Sequence, residues 1–67
     1  MRILGIKDAA RKLGVSVSTY KREEAAGRFP KRVAITEHRR GAIDEELDAL
    51  IAERIAARDA ADQGAAG

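Results

Sequence analysis

The chain has no cysteine and no tryptophan, and only one proline, one phenylalanine, one tyrosine and one histidine. Without cysteine there is no disulfide and no thiolate metal site to staple a small fold. A single histidine leaves nothing from which to build a histidine-based zinc site. No apolar run reaches the roughly 18 residues that a membrane-crossing helix requires, and the N-terminus has no apolar stretch of the signal-peptide kind. A cytoplasmic protein is the expectation. Catalytic constellations are missing as well: no Ser/His/Asp or Cys/His set, no glycine-rich phosphate loop and no paired-acid cleft is legible. Asp44, Glu45 and Glu46 are better explained as the acidic first turn of a helix. No enzymatic activity, no cofactor and no metal are therefore expected. A chain of 67 residues makes one domain at most, and one of this size buries only about 60% of its unfolded surface.

What is present is charge, unevenly placed. Met1 to Ile43 holds eleven Lys and Arg against four acids, a net +7, whereas Asp44 to Gly67 holds two Arg against seven acids, a net −5. The overall +2 hides that asymmetry. Basic residues confined to one part of a chain suggest a polyanionic partner.

The run Asp8 to Arg32, DAARKLGVSVSTYKREEAAGRFPKR, carries the strongest local pattern. Helix 1 is predicted over Lys7 to Leu13, with Ile6, Ala9, Ala10 and Leu13 on one apolar face and Lys7, Arg11 and Lys12 outward. Neither Ile6 nor Lys7 can cap it with a side chain. Gly14 suits the left-handed conformation that ends a helix, and Ser16 can cap the next. Two helices joined through a short glycine-containing turn form a helix-turn-helix, whose second helix can lie in a DNA major groove. Helix 2 is predicted over Val17 to Ala26, with Tyr20 and Ala25 or Ala26 inward, Thr19 near the turn, and Val17, Ser18, Lys21 and Arg22 outward. Gly27 and Pro30 stop it.

Phe29 is expected in the core. Val33 and Ile35 then alternate at strand period within Lys31 to Thr36. Glu37 to Gly41 reads as a hairpin loop, and Ala42-Ile43 as a short return strand. His38, Arg39 and Arg40 fall at the tip of this wing, placed for a minor groove or for phosphates; protonation of His38 would strengthen such contacts at mildly acid pH. Met1 to Ile6 forms a short apolar lead, either a strand or an extended arm packed on the core. Helix 3 is predicted over Glu45 to Ala60, capped by Asp44, with Leu47, Leu50, Ile51 and Ile55 on one face. The fold class expected is mainly α with a small β-hairpin, a winged helix-turn-helix over residues 1–60, followed by a disordered tail over 61–67.

Within this frame Ser18, Lys21 and Arg22 are the candidates for base or near-base contact. Ser16, Thr19, Arg28, Lys31, Arg32, His38, Arg39 and Arg40 are the candidates for phosphate. A cationic helix face also serves solubility alone, so these assignments stand as expectations. The opposite charges of the two halves also allow self-association on DNA, as a dimer or as a head-to-tail array in which the acidic helix 3 of one copy meets the basic wing of the next. A small protein-interaction adaptor or antirepressor acting through helix 3 is the alternative.

Four stretches carry a family likeness: Ile6-Lys7-Asp8-Ala9-Ala10 through Leu13-Gly14-Val15-Ser16; the run Ser16, Ser18, Thr19 and Arg22; Gly27-Arg28-Phe29-Pro30-Lys31; and Gly41 followed by Asp44 to Ile51. Together, over roughly Ile3 to Arg54, they resemble the AlpA-type regulators and small phage or integrative-element excisionases of the MerR-like winged-helix group. Ala42 and Leu50 stand where that family often has Trp. The resemblance implies a sequence-specific binder of double-stranded DNA, a transcriptional regulator or an excisionase acting in DNA recombination. An integrase partner and a nucleoid-associated location would follow from it.

Overall fold

A computed structural model describes the backbone of residues 1–66 and the side chains of residues 1–61. The element order is β1 (Ile3–Leu4), α1 (Ile6–Leu13), α2 (Val17–Ala25), β2 (Val33–Ala34), β3 (Arg40–Ile43) and α3 (Asp44–Ala66). The strands form one antiparallel sheet in the order β1-β3-β2. The structure is thus a small α-rich domain of three helices and a three-stranded antiparallel sheet.

The apolar lead resolves as a strand: Ile3 pairs with Ile43 and Leu4 with Ala42. The hairpin differs from expectation at both strands. β2 stops at Ala34, and β3 begins at Arg40 instead of Ala42. The turn between them is closed from within: Thr36 Oγ1 accepts from the amides of His38 and Arg39 at 3.3 and 3.1 Å, and the Ile35 amide donates to the Arg39 carbonyl at 2.8 Å. Local side-chain acceptors of this kind supply an alternative to ladder hydrogen bonds.

Helices α1 and α2 end in the same way. After α1, Gly14 has φ 71°, its amide donates to the Arg11 carbonyl and the Val15 amide to that of Ala10. After α2, Gly27 has φ 80°, its amide donates to Glu24 and the Arg28 amide to Glu23. Both are Schellman closures, which place a glycine where an L side chain would be strained. At the second, the ion pair between Arg28 and Glu23 takes the place of the usual apolar contact. Helix α1 starts at Ile6 with Gly5 as its cap and no side-chain cap bond, matching the missing cap residue in the sequence.

The core is Ala9, Ala10, Tyr20, Ala42 and Leu47, with Leu4, Ile6, Leu13, Val15, Val17 and Phe29 packed around it. Three of these five core residues are alanines, so the elements approach closely around Tyr20 and Leu47, the largest fully buried side chains. Phe29 is half-buried beside it, the ring centroids 5.4 Å apart and the planes tilted by 59°, a favourable aromatic arrangement. Ala42 is buried at 2% exposure.

Two parts of the helix 2 expectation are corrected. Ala25 and Ala26 are exposed, and Val17 is half-buried against the core. At 100° per residue Ala25 falls on the face of Ser18, Lys21 and Arg22, while Val17 shares the side of Tyr20. The start of α3 also differs. Asp44 is the first helical residue rather than its cap; its amide donates to the Arg2 carbonyl, and its carboxylate accepts from Lys12. Helix α3 carries its backbone on to Ala66, past the expected end at Ala60. The expected disordered tail over 61–67 falls largely on residues whose side chains, or in Gly67 the whole residue, lie outside the described set. At about 1.5 Å per residue the 23-residue helix is some 34 Å long. It accounts for the elongated shape, 51 × 25 × 18 Å. Among the described residues no helix is long and apolar enough to cross a membrane.

Candidate nucleic-acid interface

Helix α2 presents Ser18, Lys21 and Arg22 on one exposed face. The three follow i, i+3 and i+4 spacing, so they share a side of the helix. Among the described residues neither Lys21 nor Arg22 enters an ion pair. The N-terminus of this helix is fixed by Ser16, whose Oγ accepts from the Thr19 amide at 3.1 Å and donates to Thr19 Oγ1 at 3.0 Å. The hydroxyls of Ser16 and Thr19 are therefore engaged with each other, and Thr19 is half-buried.

The cations after Gly27 divide into two groups. Arg28 pairs with Glu23, and Arg32 with Glu24. The second pair is a fork: Arg32 Nε and Nη2 donate to the two Glu24 oxygens at 3.0 and 3.1 Å, and the Arg32 amide donates to Oε2 at 2.8 Å. Both side chains are only 15% exposed. The Arg32 guanidinium lowers the Glu24 pKa below the usual carboxylate range, against the opposing effect of burial. Arg40, at the start of β3, adds to the same field. Glu24 thus ties the end of α2 to the residue that leads into β2. Arg28 and Arg32 are both committed to acids of α2, Arg32 shielded from water and Arg28 still exposed.

Lys31, His38, Arg39 and Arg40 make up the other group. All four are exposed. The three cations Lys31, Arg39 and Arg40 enter no ion pair among the described residues, and His38 only approaches Glu37 at 4.0 Å. Lys7 and Arg11 on α1 are also exposed and unpaired among the described residues. Their i, i+4 spacing was the signal that marks them as one outward row. Lys12, beside them in sequence, is tied to Asp44 and Asp48 at the start of α3, and its pKa is raised by those hydrogen bonds.

The arrangement can offer a polyanion two elements joined through the Arg32–Glu24 pair, a helix face with a small hydroxyl flanked by long cations and a hairpin with a basic turn. Neither supplies a nucleophile–base pair. Comparison with family models, curated proteins and solved structures finds no match to this chain.

Proposed function

We propose that this chain binds double-stranded DNA as a winged helix-turn-helix, with α2 in the major groove and the β2–β3 hairpin on the adjacent minor groove or backbone. The observation that carries the reading is the partition of the cations. Acids of α2 and α3 hold Lys12, Arg28 and Arg32 in ion pairs, whereas Lys21, Arg22, Lys31, Arg39 and Arg40 on α2 and the hairpin, like Lys7 and Arg11 on α1, are exposed and enter no ion pair among the described residues. A merely solubilising charge distribution needs no such sorting. Ser18, Lys21 and Arg22 then read or approach base edges, and Lys31, His38, Arg39 and Arg40 hold phosphates.

The AlpA and excisionase resemblance gives this chemistry its biological setting, a transcriptional regulator or a recombination directionality factor working beside an integrase on the nucleoid. The two roles share one protein surface and differ in where the DNA sites lie. Titration of fluorescent duplexes, specific and random, against salt tests the reading. With about five phosphates neutralised, log affinity falls against log salt with a slope near −4 to −5. Affinity independent of salt, or no binding at low salt, overturns it.

A further inference from the structure

Val15, Phe29, Ile51 and Ile55 line a groove between the second half of α3 and the α1–α2 side of the domain. Its rim carries Lys12, Arg28, Arg54 and Arg58 against a single acid, Glu23. Three of those cations already have partners, Asp44 and Asp48, Glu23, and Asp59. Arg54 has none among the described residues, and Ile55 beside it remains 45% exposed. An aliphatic floor beside an unpaired cation is a receptor for something both apolar and acidic.

The far side of the same helix has that chemistry. At 100° per residue Ala49, Ala52, Glu53, Ala56 and Ala60 fall on the face opposite Ile51, Arg54 and Arg58. All five are exposed and no cation of α3 interrupts them, although Ala49 and Glu53 also line a second groove opposite Arg28, Phe29 and Pro30. Alanine carries nothing beyond Cβ, so a helix can approach an apolar floor closely on this face. Glu53, and Glu46 one row away, enter no ion pair among the described residues.

The geometry points to a head-to-tail contact between copies of this chain, in which the Ala49–Ala60 face of one α3 seats in the groove of the next and Glu53 faces the neighbour's Arg54. Charge selects this pairing. Groove against groove sets Arg54 and Arg58 against their own copies, and like charges across an interface oppose association. The two contacting surfaces differ, so the contact is heterologous, and each added copy leaves one groove and one helix face open. The acidic helix thus meets the groove and not the hairpin, because the groove adds an apolar floor to the cations. From Ala52 to Ala61 every side chain of α3 is exposed in the single chain, and the contact supplies this stretch with the packing it lacks.

The inference is independent of DNA binding and is tested without DNA, by sedimentation velocity over rising concentration on the full chain. Wild type should grow beyond a single-chain mass in a series without a fixed end point. Arg54→Glu spoils the groove and Glu53→Lys spoils the helix face; each variant alone should stay monomeric. Mixed, the native Glu53–Arg54 pair forms one way round and the charge-reversed pair the other, so association should return; with Ile55→Ser in place of Arg54→Glu the mixture should stop at two chains. Circular dichroism checks that each variant is helical, and Ile55→Ser replaces Arg54→Glu if that variant does not fold. A wild type that stays monomeric throughout overturns the inference. So do single variants that associate like wild type, and so does a mixture of two monomeric variants that gains nothing, since the contact is then not head-to-tail.

Discussion

Arg32 and Glu24, eight residues apart in sequence, make three hydrogen bonds to each other: two from the guanidinium and one from the Arg32 amide. One acid at the end of α2 thereby satisfies both the side chain and the backbone of the residue that leads into the hairpin. The pair is mostly shielded from water, so salt screens it less than an exposed surface pair.

Removing either partner leaves the other without its charge-assisted bonds, a loss of about 1–2 kcal/mol. In a domain this small that lowers Tm by several degrees. Glu24→Gln and Arg32→Ala should each show it in thermal unfolding, and the double variant should lose less than the sum. The pH dependence has a definite sign. The Glu24 pKa is depressed in the fold, so its stabilisation is present above the ordinary carboxylate range and is lost as pH falls through the depressed value. Acid titration of Glu24→Gln should be flatter than that of wild type; superimposable curves would show that the pair contributes nothing.

The Tyr20 ring is fully buried, and its hydroxyl has no hydrogen-bond partner among the described residues. Burial, with the Glu24 charge behind it, raises the phenol pKa. Replacing Tyr20 by Phe keeps the ring against Phe29 and removes the uncompensated polar group, so stability should stay level or rise by up to about 1 kcal/mol. Because the folded pKa is raised, the stabilisation is complete below the ordinary phenol range and is lost as pH rises through the shifted value. Tyr20→Phe should therefore resist alkaline unfolding better than wild type, with the residual loss shared by Lys12, whose pKa is raised too. A drop of more than about 1 kcal/mol at neutral pH would mean that the hydroxyl has a bond of its own.

How much of this was legible from the chain depends on the range of each interaction. Local signals read true: Gly14 and Ser16 close one helix and open the next, Gly27 stops the second, and the apolar rows of α1 and the first half of α3 find the core. Tyr20 is buried as its place in the helix 2 pattern suggested. Non-local facts were hidden. β1 is two residues long, too short to show any period, and only its pairing with β3 makes it a strand. Nothing in the spacing of Glu23, Glu24, Arg28 and Arg32 tells which cations those acids will hold. That selection, made by the way the chain returns past the end of α2, removes Arg28 and Arg32 from a row that looked uniformly basic. Ala25 and Ala26 misled because alanine suits either side of a helix.

Gly41 faces Ile3 across the sheet. A Cβ built on Gly41 meets Ile3 Cγ2 well inside contact distance, with the Leu4 carbonyl oxygen at 3.4 Å and Ile35 Cγ1 at 3.6 Å. Glycine is required here for close approach and not for a positive φ. Gly41→Ala should overpack the strand pair and cost about 1–3 kcal/mol. Combining it with Ile3→Ala, which clears the obstruction, should recover part of that loss. If the double variant is as unstable as the two single losses added together, the contact is not the reason for the glycine.

The last prediction separates cations by their partners within the proposed DNA complex. Arg22 lies beside Ser18 on the free face of α2, and Arg40 lies at the hairpin. Arg22→Ala should lower affinity for a preferred duplex by about 1–3 kcal/mol and relax its preference at one position. Arg40→Ala should weaken all duplexes alike and reduce the salt slope by about one. Arg28 carries the same charge, yet its Nε is paired with Glu23, so Arg28→Ala should leave the salt slope unchanged. Fluorescence anisotropy on specific and random duplexes at several salt concentrations measures all three variants side by side. Equal slopes for Arg28→Ala and Arg40→Ala would show that the internal pairing does not sort the cations, and the proposed interface would lose the observation on which it stands.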